Sequence, residues 1–107
     1  MKEMKEHELL EAIGRSGACL TVFLETPLCG TCKVARQMMD VAEHLLPGDY
    51  ALVSGNVNLL PSIVRQYRIA SVPALLVFDA DRGRPPHVHY ALYSVERVLQ
   101  YIRSVNL

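Results

Sequence analysis

Cys29 and Cys32 are the residues of this sequence whose types and spacing most directly suggest chemistry. They frame a Cys-Gly-Thr-Cys run between a nearly unbroken apolar stretch at 18–24 and a long amphipathic stretch at 29–46. The first reads as a buried strand and the second as a helix, so Cys29 falls at a helix start. There the unpaired backbone N–H groups and the helix dipole favour an anion, which stabilises a Cys29 thiolate and lowers its pKa. Only the thiolate attacks a disulfide, so the position creates a usable nucleophile. Cys32, one turn along, can then attack the mixed disulfide and release the reduced substrate. Lys33 adds positive charge nearby, and Gly30 lets a substrate backbone come close.

Two other readings of the pair stay open at this point. One is half of a zinc site, which needs four ligands. No second Cys-x-x-Cys exists, and His87-x-His89 is the other candidate pair. The second is a pair with no chemical role. Three cysteines cannot form a closed disulfide framework, because Cys19 stands apart.

The chain has 107 residues, the size of one domain. Eleven Lys and Arg balance eleven Asp and Glu. That balance argues against a nucleic-acid or acidic-membrane partner. The basic residues Lys33, Arg65, Arg68, Arg82 and Arg84 are scattered rather than clustered. No apolar run approaches the roughly 18 residues of a membrane span, and the charged first residues lack the apolar core of a signal peptide. The expected place is the cytoplasm, where paired cysteines are more often catalytic or metal-binding than structural.

The elements that must hold the motif alternate. A helix is expected over 4–13 with Leu9, Leu10 and Ile13 on one face, ended by Gly14 and Gly17. After the strand at 18–24, the helix at 29–46 carries Val34, Met38, Val41, Ala42 and Leu45 at helical spacing. Lys33, Arg36, Gln37, Asp40, Glu43 and His44 lie on its other side. Pro47-Gly48 stops it. A second strand follows at 50–57, then a short helix opened by Pro61 and carrying Ile63, Val64 and Tyr67. Residues 74–78 form another buried strand, 79–86 a turn and 87–92 an edge strand. Ser94 is the expected N-cap of a last helix with Val95, Val98, Leu99, Ile102 and Val105 in register. The order α-β-α-β-α-β-β-α implies a central sheet with helices on both faces, its last two strands an antiparallel hairpin.

The sequence resembles the thioredoxin family over nearly its whole length. The likeness rests on Leu28-Cys29-Gly30-Thr31-Cys32-Lys33 after an apolar strand, on Tyr67-Arg68-Ile69-Ala70-Ser71-Val72-Pro73, and on the strand Ala74-Leu75-Leu76-Val77-Phe78 that follows. The resemblance implies one thioredoxin-like domain over 1–107. Its fold is a central mixed β-sheet flanked by helices on both faces, with a first strand short or absent. It also implies a thiol–disulfide oxidoreductase with Cys29 as nucleophile and Cys32 as resolving thiol. Val72-Pro73 would be a cis peptide facing the dithiol, and Gly30, Thr31, Val72 and Pro73 would contact extended substrate. The dithiol is itself the redox centre, so neither a bound cofactor nor a metal is required. Partners would be protein disulfides, with a reductase or a low-molecular-weight thiol as electron donor, and the protein would be a monomer.

The sequence also departs from the family pattern. Phe23 stands where the family carries a buried aspartate that accepts the proton of the second cysteine. Leu28 replaces the tryptophan before the first cysteine, Thr31 the proline between the two, and Glu25 a further aromatic. Asn58 and Tyr90 stand at a family acid and a family glycine. Glu25 shares a strand face with Phe23, so it and Lys33 are candidates for a proton relay; a solvated strand-end carboxylate is the plainer expectation. Cys19 is expected as a small buried hydrophobe. His87 and His89, on one face of an edge strand, are expected to be solvated. A thioredoxin-like binding module, non-catalytic or with a narrow partner, and a metal-binding protein are the alternative functions.

Overall fold

The apolar run after Cys19 alternates its side chains between two separate cores, and this defines the layers of the molecule. The computed structural model describes residues 1–105, so positions 106 and 107 of the expected domain lie outside it. Among the described residues, nine helices and strands, with one 3-10 turn, follow in order: β1 (Lys2–Glu3), α1 (Glu6–Gly14), β2 (Leu20–Glu25), α2 (Gly30–Leu45), β3 (Ala51–Asn56), the turn Val57–Leu59, α3 (Pro61–Gln66), β4 (Ala74–Phe78), β5 (His87–His89) and α4 (Val95–Arg103). The sheet order is β1-β3-β2-β4-β5. β3 runs parallel to β1 and β2, whereas β4 runs antiparallel to β2 and to β5. This is the expected mixed sheet, with a first strand of two residues.

Val22 and Leu24 of β2 face one core with Leu9, Leu60, Ile63 and Leu76, beneath α1 and α3. Phe23 faces the other core with Ala35, Met39, Ala42, Val98 and Ile102, beneath α2 and α4. A central strand buried on both faces explains the unbroken apolar run. The carboxylate of Glu6 ties α1 to α3, accepting hydrogen bonds from Ser62 N (2.8 Å) and Ile63 N (3.3 Å) at the start of α3. A carboxylate there complements the positive end of the helix.

Five expectations need correction. Val34, Val41 and Leu45 of α2 are 55%, 49% and 58% exposed, while Cys32, Ala35, Met39 and Ala42 are buried. Helix α2 carries two apolar stripes. The one with two alanines lies on the sheet, where small side chains let the helix come close. Leu10 of α1 is likewise exposed. The edge strand ends at His89 rather than at 92, because the chain turns inward. Leu92 is buried, Ser94 N donates to Leu92 O at 2.6 Å and Tyr93 takes a positive φ of 57°. His89 is half-buried rather than solvated: its ring stacks on Tyr101 with centroids 3.7 Å apart and planes 9° from parallel. Cys19 precedes β2 by one residue and is half-buried, its thiol 4.0 Å from the carbonyl oxygen of Val105.

Candidate active site

Strand register gathers the site at one end of the sheet. Leu24 of β2 pairs with Ala74, the first residue of the antiparallel β4. The segment leaving β2 toward Cys29 and the loop entering β4 through Val72-Pro73 therefore share that end. Glu25 pairs with Asn56 at the end of the parallel β3, which brings Val57 and Asn58 to the same end. The Val72-Pro73 peptide is cis, as the family resemblance implies.

Cys29 is the N-cap of α2. Its sulfur accepts a hydrogen bond from the backbone N–H of Cys32 at 3.1 Å, in the manner of the oxygen of an ordinary N-cap side chain. The two cysteines are joined as a disulfide, with Cα atoms 5.1 Å apart. They differ in access: Cys32 is buried against the sheet, while Cys29 is only half-buried. Thr31 is exposed, and its hydroxyl lies 3.3 Å from Cys29 Sγ. Gly30 is exposed, and a Cβ added there would meet only open space. Leu28, beside Cys29, is 99% exposed. Val72 and Pro73 are half-buried. Val72 lines a groove of about 290 Å³ together with Val57, Asn58, Val64 and Ile69.

The charged residues divide. Lys33 points from the exposed first turn of α2. Glu25 is not the solvated carboxylate expected of a strand end. Its side chain is 18% exposed and forms an ion pair with Arg36. Burial pushes its pKa above the ordinary carboxylate value, against the pull of Arg36. Arg36 was the residue that the helical pattern placed among solvated side chains. The signal that could have marked it is its position four residues after Cys32, which puts both on one stretch of helix surface. Phe23, two residues before Glu25 on the same strand face, is fully buried. Among the described residues no group of three or more His, Cys, Asp or Glu could hold a metal ion. His87 and His89 stack on each other at 6.2 Å, on β5.

A mixed five-stranded sheet between helix pairs, a Cys-x-x-Cys disulfide at a helix N-cap and a cis X-Pro loop at the same sheet end define a thioredoxin fold carrying a redox dithiol. The chain belongs to the thioredoxin-like proteins. It is 37% identical over 104 residues to the thioredoxin-like protein YusE of Bacillus subtilis, across 97% of this chain and 92% of that one. It is 29% identical over 56 residues to thioredoxin 1 of a Nostoc species, about half of each chain. The solved structure of a chloroplastic thioredoxin z superposes with a TM-score of 0.84 over 98% of this chain and 93% of that one, at 17% identity, a likeness of fold. No family model matches the chain. Fold and paired cysteines together support thiol–disulfide oxidoreductase chemistry in general.

Proposed function

We propose that the protein exchanges protein disulfides, with Cys29 as the attacking thiol and Cys32 as the resolving one. The observation that carries this reading is the asymmetry of the pair: the more accessible sulfur is also the one at the helix N-cap. The Cys29 thiolate attacks one sulfur of a substrate disulfide, that S–S bond breaks, and the other substrate sulfur leaves as a thiolate. Cys32 then loses its proton and attacks Cys29 Sγ. The Cys29–Cys32 disulfide forms as the second substrate sulfur leaves, and two electrons have passed to the substrate. A reductase or a low-molecular-weight thiol restores the dithiol.

Extended substrate lies between Gly30, Thr31 and the Val72-Pro73 loop. Exposed Leu28 and the apolar groove beside Val72 favour a protein substrate over a small polar one. Glu25 is the candidate acceptor for the Cys32 proton. It faces the α2 side of the sheet, and an ionisation raised toward neutrality suits an acceptor. Lys33 supplies positive charge at the exposed mouth. We place this work in the cytoplasm, whose thiol pool keeps such a pair cycling. In the described residues no helix is long and apolar enough to cross a membrane.

The test is a trap. Cys32→Ser holds target proteins on Cys29 as mixed disulfides that reducing agent releases, and Cys29→Ser holds few. Equal capture by both variants would overturn the order of attack. A narrower reading, exchange with one dedicated partner, is favoured by Phe23 at the place of the usual buried acid. Under it, the trap returns one main species and insulin is reduced poorly.

A further inference from the structure

The backbone N–H groups that lead out of α3 change partners two residues before Val72. Tyr67 N, Arg68 N and Ile69 N donate back to Ile63 O, Arg65 O and Val64 O, at 3.1, 3.4 and 3.0 Å. Ala70 N instead donates across the fold to Tyr90 Oη at 3.0 Å, and the same hydroxyl donates to Arg68 O at 3.5 Å. A phenol can accept and donate at once. Glycine, the family residue at the place of Tyr90, has no side chain to make this link. We infer that Tyr90 is a positioning residue: its hydroxyl holds the segment entering the Val72-Pro73 loop in the shape that receives extended substrate.

Tyr90 is itself held in place. It follows β5 directly, and Tyr101 of α4 fixes the residues on either side of it: the Tyr101 ring stacks on His89 and its hydroxyl donates to Ala91 O at 2.7 Å. His89 pairs with Leu75 of the antiparallel β4, so the next residue, Tyr90, comes level with Ala74, just after Pro73. The segment that Tyr90 reaches needs support. Arg68 has a φ of 53°, a conformation that residues with a side chain adopt rarely and keep where their surroundings enforce it. Ile69, Ala70, Ser71 and Val72 line the groove beside the dithiol end of the sheet, so the hydroxyl fixes part of its lining.

The consequence falls on binding and not on the sulfur chemistry. A loop already in its binding shape loses less conformational freedom when substrate arrives. The hydroxyl of Tyr90 bonds to Arg68 and Ala70 and not to the cysteines. A disulfide carried on extended peptide therefore gains from the brace, whereas a small disulfide without a backbone does not. Tyr90 is 39% exposed and Ala70 is exposed, so water takes over part of the bond when the hydroxyl is removed, which limits the effect.

This inference rests on the reading that the Val72-Pro73 loop receives a protein substrate. Tyr90→Phe removes the hydroxyl and keeps the ring. Tyr93→Phe is the control, since Tyr93 is 75% exposed with its ring beside Arg97. Stopped-flow rates of the reduced proteins are measured with two probes. One is a linear peptide whose central cysteine is capped by 2-mercaptoethanol; the other is bis(2-hydroxyethyl) disulfide, which has no peptide backbone. Tyr90→Phe should slow the peptide reaction about three- to fivefold and speed hydrogen exchange of the Ala70 amide about fivefold, the factor of one ordinary neutral hydrogen bond. Its rate with the small disulfide should match the parent's. Equal slowing with both probes, no slowing with the peptide, unchanged Ala70 exchange, or a Tyr93→Phe protein slowed as much overturns the proposal. A parent that reacts no faster with the peptide than with the small disulfide would overturn the protein-disulfide reading. If Tyr90→Phe still speeds Ala70 exchange in that case, the brace stands and its use in binding substrate falls.

Discussion

The carboxylate of Glu25, at the last position of β2, accepts a hydrogen bond from the guanidinium of Arg36, one helical turn beyond Cys32. The pair joins the end of the central strand to the helix that carries both cysteines. Burial raises the Glu25 pKa and Arg36 holds the rise in check. An acceptor must be ionised to take a proton, so a resolving step that uses Glu25 rises with pH through an ionisation above the ordinary 4.5. Glu25→Gln should remove that limb of the pH–rate profile and slow turnover about tenfold at neutral pH, below the full effect of a general base because water can substitute. Arg36→Gln should move the limb to higher pH, since the attraction that lowers the Glu25 pKa is lost. Stopped-flow rates for the three proteins decide the matter; superimposable profiles would remove Glu25 from the mechanism.

Phe23 fills the place at which the family pattern carries a buried acid. It is fully buried beside Ala35, Met39 and Leu75. Phe23→Ala should cost about 3–5 kcal/mol, the range for a core phenylalanine. Phe23→Asp should be worse at neutral pH, because its neighbours Ala35, Met39 and Leu75 are apolar and a buried charge is added to the cavity. Its folded-state pKa would lie above the unfolded value. Stability is then greatest below the unfolded pKa and is lost as pH rises through the folded one. Circular dichroism of Phe23→Asp should accordingly show more structure at pH 4 than at pH 7. A variant as stable as the parent at pH 7 would mean that the core tolerates the acid.

Much of the site was legible before any coordinates. Local rules suffice for Cys29 at the helix start: an apolar strand, a Cys-x-x-Cys run and an amphipathic helix are all short-range signals. The cis Val72-Pro73 peptide came from a longer pattern match rather than from local chemistry. What stayed hidden depended on which of two possible surfaces faces inward. Hydropathy groups Val34, Val41 and Leu45 with Ala42 as the core face, yet of these four the sheet takes only Ala42 and adds Cys32, Ala35 and Met39. The same ambiguity concealed Arg36, whose partner lies eleven residues away on another element. His89 was misplaced because its shield, Tyr101, belongs to a helix that the strand pattern cannot anticipate.

His89 makes stability depend on pH. Its ring lies on Tyr101, and its Nε2 is buried without a hydrogen-bond partner among the described residues. Burial lowers its pKa, and the charge of neighbouring His87 lowers it further. The unfolded chain therefore takes up this proton more readily than the folded one. Stability is full above the unfolded pKa of 6.5 and declines as pH falls below it toward the lowered folded value. Urea midpoints measured from pH 7.5 to 5 should fall for the parent and fall less for His89→Phe, which keeps the ring on Tyr101 and cannot titrate. Parallel slopes for the two proteins would assign the acid sensitivity elsewhere.

The two apolar stripes of α2 give the sharpest contrast, because adjacent residues should behave oppositely. Val41 is 49% exposed and Ala42 is fully buried against the sheet. Val41→Gln exchanges exposed apolar surface for polar surface and should change stability by no more than about 0.5 kcal/mol. Ala42→Leu adds three carbons where Met39, Leu46 and Leu52 share one core, and overpacking of that kind should cost about 1–3 kcal/mol. A helix rotated to bury Val34, Val41 and Leu45 would reverse the order, making Val41→Gln the damaging change. It would also lift Cys32 off the sheet, since Cys32 and Ala42 lie on the same buried stripe. Urea unfolding of the two variants therefore tests the seating of the helix and, with it, why Cys32 is the shielded member of the pair. The dithiol would lose its asymmetry if Val41→Gln proved the more destabilising of the two.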